Sequence, residues 1–294
     1  MTVFNDFPFG YNNSRFDYIC FLKSLQLCTN KKDRKMELKN STILITGGTS
    51  GIGLELVKQL LPKGANIIVT GRNPDALNET KKKFPKVHTF QSDVSKPQDI
   101  ELLYKKVTTQ FPDLNIIINN AGVMRDLDLQ DTTMDLENIT IEIETNLSGT
   151  IRMNHQFLPH LKTKKTAAIV NISSGLAFVP FPSSPVYSAA KSGIHAYTQI
   201  LRLQLKNTSV KVFEVAPPAT DTPLIDKFGG EASKDQLMKV DELVKRSIIG
   251  IENNKFEIRP GLANVLKWGS RIAPNFFLNL LDKTIAKEKA KKNN

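Results

Sequence analysis

The sequence predicts an α/β domain with a doubly wound, mainly parallel sheet and helices on both faces. Three observations lead there. Short apolar runs recur without polar alternation, as strands buried on both faces require. Amphipathic helical patterns separate those runs. A glycine-rich turn joins the first run to the first helix.

In chain order, Thr42–Thr46 reads as the first strand and Ile52–Leu61 as the first helix, with its apolar residues on one side. Asn66–Thr70 is the second strand. Helical segments follow near Pro74–Lys83 and Lys96–Phe111, separated by a strand over Val87–Phe90. Asn115–Asn119 and Ala167–Asn171 are further continuous apolar strands. Long helical patterns occupy Leu136–Leu161 and Val186–Leu205. Val210–Val215 is another strand and Phe256–Ile258 the last. In such sheets ligands bind beyond the carboxyl ends of the strands. Chemistry is therefore expected just after Thr46, Thr70, Gln91, Asn119, Asn171 and Val215.

The chain has 294 residues, 40% hydrophobic and 23% charged, a profile of soluble globular proteins. Length alone allows about two domains, but α/β folds of this size are often one. We expect a single Rossmann-type domain over residues 36–262, followed by a helical extension with a basic tail over 263–294. Residues 1–35 read as a loosely attached extension. Met36 is an alternative start, and a membrane or partner anchor is the functional alternative.

No apolar run approaches the roughly 20 residues that cross a bilayer. The N-terminus lacks a basic n-region, and Lys23 interrupts its best apolar stretch, Tyr18–Leu27, so no secretory signal is expected and the cytoplasm is. Cys20 and Cys28, the only cysteines, both precede the body, which leaves no disulfide framework or cysteine metal site there. His88, His155, His160 and His195 lack metal-ligand spacing, and no metal is expected. The formal net charge of +11 gathers largely in residues 1–35 and 282–294. Lys287–Lys292 looks like a solvated helix end, and nucleic acid is not an expected partner.

After the first strand comes Thr46-Gly47-x-x-x-Gly51-x-Gly53. Glycines there let a pyrophosphate approach backbone N–H groups, and the next helix turns its positive end to that anion. The second strand ends at Thr70, followed by Gly71 and Arg72. An NAD site places an acid in that area to hold the ribose 2′-hydroxyl. An arginine suits a 2′-phosphate, so NADP(H) is favoured; with Arg72 as an ordinary surface residue, NAD(H) is the alternative.

These residues resemble the short-chain dehydrogenase/reductase family, and within it most resemble the DltE-like oxidoreductases. The match spans about Met36 to Leu262. It rests on the glycine motif, Asp93-Val94, Asn119-Asn120-Ala121-Gly122, Asn146, Ser174 and Tyr187-x-x-x-Lys191, in that order. The resemblance implies that Gly47, Gly51 and Gly53 line the pyrophosphate, together with Ser50 and Ile52 of the same turn. It implies that Asp93 and Val94 flank the adenine. Asn120, Ala121 and Gly122 support sheet and cofactor, and Pro217 belongs to the cofactor site. Asn146, Ser174, Tyr187 and Lys191 match the family's catalytic tetrad. The serine-to-tyrosine spacing selects Ser174 over Ser173. Pro218 departs from the pattern: it stands where the family has glycine, in a loop that passes the nicotinamide amide. Proline lacks an N–H and fixes φ, so it does not imitate glycine.

The chemistry follows from the residue types. Reducing a carbonyl needs an acid for the developing alkoxide, and the reverse needs a base. Free tyrosine titrates near 10. On a helix, residues four apart share a face, so Lys191 is expected beside Tyr187, lowering its pKa. The resemblance adds that this lysine holds the nicotinamide ribose and that Asn146 positions water next to it. Ser174 donates a hydrogen bond to the substrate oxygen. The cofactor carries the hydride.

The expected function is NAD(P)-dependent oxidation or reduction of a small, partly apolar alcohol or carbonyl compound. The alternative is a non-catalytic dinucleotide-binding regulatory protein of the same fold. An acyl-enzyme reading of Ser188-x-x-Lys191 fails, because its S-D-N and K-T-G companions are incomplete. Substrate choice is expected in Pro180–Val186, beside Phe178, Pro180, Phe181 and Pro182, and in a lid from Thr222 to about Ile251 with Leu224, Ile225, Phe228 and Leu237. The resemblance implies a homodimer or homotetramer through the helices that carry Asn146 and Tyr187.

Overall fold

The computed structural model describes residues 35–226 and 237–292. The expectations for the N-terminal extension before Lys35, and for Phe228, lie outside the described residues.

Among the described residues, seven strands form one parallel sheet: β1 (Thr42–Thr46), β2 (Asn66–Gly71), β3 (His88–Gln91), β4 (Leu114–Asn119), β5 (Ala167–Ile172), β6 (Val210–Val215) and β7 (Glu257–Ile258). Their order is β3-β2-β1-β4-β5-β6-β7, and every pairing is parallel. The direction of winding reverses between β1 and β4, which is where such sheets open a crevice.

The continuous apolar runs have a simple cause. Alternate residues of one strand face opposite sides, and here both sides are dry. Ile43, Ile45, Ile67, Val69, Ile116 and Ile118 face one core, with Leu56, Val57 and Leu60 of α1 (Gly51–Leu60). Leu44, Ile68 and Ile117 face the other. That second core takes Ile100, Leu103 and Val107 of α3 (Pro97–Gln110) and Met153, Phe157 and Leu161 of α5 (Gly149–Lys162). Between α1 and α3 runs α2 (Pro74–Lys83), whose first turn is capped by the Asn73 side chain.

The long helix expected over Leu136–Leu161 is not continuous. A single turn, α4 (Leu136–Ile139), ends at Thr140. The chain then re-enters a helix that contains a π-helical stretch, Ile143–Ser148, before α5. At its end the Gly149 N–H donates to Glu144 O, five residues back.

The remaining helices are α6 (Pro185–Gln204), the single turn α7 (Pro223–Asp226), α8 (Val240–Glu252), α9 (Leu262–Ile272) and α10 (Pro274–Lys292). Helix α8 adds Val244, Ile248 and Ile251 to the first core, and α6 adds Leu201 to the second. The carboxyl ends of β1, β4, β5 and β6 thus lie side by side, with α1, α5 and α6 starting or passing next to them.

Candidate active site

The glycine turn is built for a close approach. A β-carbon on Gly53 would lie 2.3 Å from Gly47 O, so no other residue fits there. Ser50, extended and exposed, precedes α1 without a side-chain cap, so the positive end of the helix is left open. Ile52 packs against the core. The Thr46 hydroxyl receives the N–H groups of Asn120 and Ala121, both at 3.0 Å. The Asn120 amide returns the link to Thr46 O and Gly47 O. The turn after β1 and the loop after β4 are therefore one unit.

Arg72 stands exposed at the end of β2, and its carbonyl accepts from Gln91. Asp93 is half-buried and takes both the N–H and the hydroxyl of Ser95. Val94 is buried in the second core. After β6, Pro217 is buried and its carbonyl accepts from Gly175 at 2.7 Å. Pro218 is half-buried, and its carbonyl takes the Thr220 hydroxyl. The loop then returns towards the glycine turn: a β-carbon on Gly51 would lie 3.4 Å from Thr222 Cβ. The proline thus stands in an ordered loop in place of glycine.

Beyond β5 the four candidate catalytic residues converge. Tyr187 and Lys191 lie one turn apart on α6, both buried. Lys191 Nζ stands 5.5 Å from the centre of the Tyr187 ring and donates to Ile172 O at 2.8 Å. Ser174 hydrogen-bonds Tyr187, and its hydroxyl accepts from Leu176 N. Neighbouring Ser173 turns the other way and donates to Glu214 at 2.6 Å. Asn146, within the π-helical stretch, clasps Val123 with both ends of its amide, at 2.9 and 2.8 Å. A β-carbon on exposed Gly122 would lie 3.2 Å from Asn146 Oδ1 and 3.7 Å from Lys191 Nζ, so this glycine leaves space between the two.

The expected lowering of the Tyr187 pKa is not what the structure gives. Burial pushes the phenol up to about 12; the Ser174 hydrogen bond pulls it down, and the Glu142 charge pushes it further up. Burial also lowers Lys191 to about 8. Desolvation disfavours both charged forms and is the largest cause of each shift.

Glu142 was not among the expected residues. Its side chain is fully buried, accepts from Arg125 N at 2.9 Å and lies 3.5 Å from the Arg125 guanidinium. Burial raises its pKa, against the pull of Arg125. Its position four residues before Asn146 was the available signal. Also unforeseen is an amide network under the site. The Asn119 side chain donates to Asn154 and Asn171, and Asn171 donates to Thr198, joining β4, β5, α5 and α6. Ser188, set aside as a nucleophile, fastens the loop instead: its hydroxyl accepts from Phe181 N, and Ser192 donates to Ala177 O.

A second polar cluster lies behind Ser173. His195, Glu214 and Glu257 bring their ligand atoms within 4.8 Å of one another, an arrangement their spacing did not announce. Lys267 and Arg259 both pair with Glu257 and supply positive charge to the cluster. Burial works to raise Glu257, but the Lys267 hydrogen bond and charge, with Arg259 and His195, hold it below the usual carboxylate range.

Of the expected substrate wall, Phe178 and Phe181 are half-buried and Pro180 and Pro182 exposed. Leu224, Ile225 and Leu237 are half-buried at the edges of the lid segment.

The family model for short chain dehydrogenases matches residues 41–232. An uncharacterized oxidoreductase, DltE, of Bacillus subtilis (strain 168) is 40% identical over 224 residues, covering 76% of this chain and 89% of that protein. The fold is similar to a short chain dehydrogenase from Burkholderia cenocepacia J2315 solved in complex with NADP. That likeness has a TM-score of 0.72 at 25% identity and covers 84% of this chain and 99% of that one. A short-chain dehydrogenase from Sphingobium yanoikuyae, in complex with NADPH, gives a TM-score of 0.71 at 26% identity over 81% and 94%.

Proposed function

Because the chain belongs to the short chain dehydrogenase family, we propose that it is an NAD(P)-dependent oxidoreductase that reduces a carbonyl group with Tyr187 as proton donor. The observation that carries the proton-donor role is the state of Tyr187. A phenol held up at about 12 keeps its proton and gives it to a stronger base. A developing alkoxide is such a base.

The chain's residues fit a nicotinamide dinucleotide. The tight packing of Gly53 on Gly47 O, which shapes the turn, and the uncapped start of α1 suit a pyrophosphate at the helix N-terminus. Gly47, Ser50, Gly51, Ile52 and Gly53 would hold it. Arg72 would meet a 2′-phosphate, which favours NADP(H) over NAD(H). Asp93 and Val94 would border the adenine, and Asn120, Ala121, Gly122 and Pro217 the nicotinamide half. Tyr187 and Lys191 would hold its ribose. When bound, the cofactor supplies the hydride.

Ser174 donates a hydrogen bond to the substrate oxygen and orients the Tyr187 hydroxyl. Lys191, its pKa lowered by burial to about 8, releases a proton more readily than an ordinary lysine and would pass it towards Tyr187. Asn146 holds Val123 and keeps the loop beside Gly122 open. The substrate is a small carbonyl compound with an apolar part against Phe178 and Phe181.

Nicotinamide absorbance with NADPH and a panel of aldehydes and ketones tests this. Replacing Tyr187 by Phe should lower kcat/KM by about 10²–10⁴-fold. Unchanged turnover in that variant would remove Tyr187 from the chemistry. The proposal includes a homodimer or homotetramer, supported by exposed Ile141, Ile200 and Leu203 on the helices near the site. Light scattering after gel filtration measures it, and a monomer would refute it. A cytoplasmic location belongs to the same proposal; among the described residues no helix is long and apolar enough to cross a membrane.

A further inference from the structure

Helix α9 lies against the turn that follows Ser174. A β-carbon on Gly175 would stand 3.2 Å from Leu266 Cδ1 and 3.5 Å from Ala263 Cβ. Next to Leu266, Lys267 is buried, and its ammonium has two partners. It donates to Glu257 of β7 and stands 5.2 Å from the centre of the Phe178 ring. His195 of α6 meets the same ring edge-on, with centroids 5.0 Å apart. His195 also lies 2.8 Å from Glu214, which holds Ser173. Phe178 is thus held between an ammonium and an imidazole, each anchored to a carboxylate on the last two strands.

The segment so held is short. It begins at Ser174, which hydrogen-bonds Tyr187, and ends at Phe178, on the expected substrate wall. Its hydrogen bonds include Gly175 N to Pro217 O, Ala177 N to Ser174 O, Phe178 N to Gly175 O, Leu176 N to the Ser174 hydroxyl and the Ser192 hydroxyl to Ala177 O, and only the first and last of these reach outside the segment. A buried ion pair carries a desolvation cost that a methionine of similar length would not. What the pair provides is direction, since a cation over a ring fixes where the ring stands.

We propose that Lys267 is a positioning residue of the active site: through Glu257 and Phe178 it fixes the loop Ser174–Phe178 and the substrate wall on that side. This rests on the reading of Ser174 and Tyr187 as the proton-donating centre. The working unit then extends past residue 262 and includes α9.

The test uses the full chain with Lys267→Met and Lys267→Arg. Glu257 keeps Arg259 at 3.0 Å, so the methionine variant leaves no unpaired buried charge. Hydrogen exchange should accelerate about tenfold at Gly175–Phe178 in Lys267→Met and stay unchanged in β4 and β5. With NADPH, the KM for benzaldehyde should rise about tenfold while kcat stays within about twofold, and propanal should be little affected. Lys267→Arg should restore both readouts, since it keeps the charge and the ring contact. Phe178→Leu combined with Lys267→Met should be no worse than Phe178→Leu alone, because the two act through one ring contact. Unchanged exchange at Gly175–Phe178, acceleration spread over the whole sheet, or independent addition of the two substitutions would each overturn the proposal. If the wild type reduces neither aldehyde, the carbonyl-reductase reading loses its support, and the exchange pattern still decides the role of Lys267.

Discussion

Lys191 Nζ stands 5.5 Å from the centre of the Tyr187 ring, yet both groups have pKa values displaced towards their neutral forms. Proximity on one helix face did not decide their ionisation; burial did. Two consequences can be measured.

The first is the pH dependence of stability. Unfolded, Lys191 binds a proton below 10.5; folded, only below about 8. Between those values the unfolded chain holds more protons, so stability rises with pH across that window. Tyr187 acts on the next one. Its pKa is raised from 10.0 to about 12, so its contribution is complete below 10 and lost as pH climbs towards 12. Lys191→Met should remove the first slope. The difference in urea-unfolding free energy between wild type and variant should change by about 3 kcal/mol from pH 8 to 10.5. A constant difference would contradict the displaced lysine.

Glu142→Gln tests the buried charge that raises Tyr187. Glutamine still accepts from Arg125 N but carries no charge. Tyr187 should then ionise more easily, and the alkaline limb of the kcat/KM profile should move to lower pH. A limb that stays in place would show that the carboxylate is not felt at the phenol.

Gly53→Ala puts a β-carbon 2.3 Å from Gly47 O, a backbone atom that cannot rotate away. The turn must shift, at a cost of about 1–3 kcal/mol. NADPH binding, followed by nicotinamide fluorescence, should weaken more than tenfold, in keeping with about that loss of free energy. Wild-type affinity in this variant would mean that the pyrophosphate lies elsewhere.

Arg72→Gln separates the two nicotinamide cofactors. A charge-assisted hydrogen bond to a phosphate is worth about 1.5–3 kcal/mol. The KM for NADPH should rise about 10- to 100-fold, and that for NADH should stay within about twofold. Equal effects on both would deny Arg72 a role in reading the 2′-phosphate.

The sheet was legible because burial on both faces favours apolar residues along the middle of each strand, so Ile43–Ile45, Ile67–Val69 and Ala167–Val170 stand out as unbroken runs. Helix α2 was found at its full extent, since Pro74 marks its start and Asn73 its cap. That Tyr187 and Lys191 share a helix face was legible from their spacing, while their assignment to a site came from the resemblance. Their ionisation was not legible, because that depends on how much of the fold covers them. The cluster of His195, Glu214, Glu257 and Lys267 was hidden for a related reason. Its members sit on two helices and two strands, and Ser173 meets Glu214 across 41 positions of sequence. Nothing in the residues from Ile143 to Ser148 distinguishes a π-helical from an α-helical stretch.

That stretch sets a phase. Glu142 just before it and Asn146 within it address the loop from Val123 to Arg125; downstream Met153, Phe157 and Leu161 address the core. An uninterrupted α-helix turns about 100° per residue. Deleting one residue between Ile143 and Ser148 would restore an α-helix and swing the upstream half by about that angle. The core half would stay in place while Asn146 left Val123. One surplus residue in a single turn is what allows the same rod to be a structural beam at one end and a reactive wall at the other.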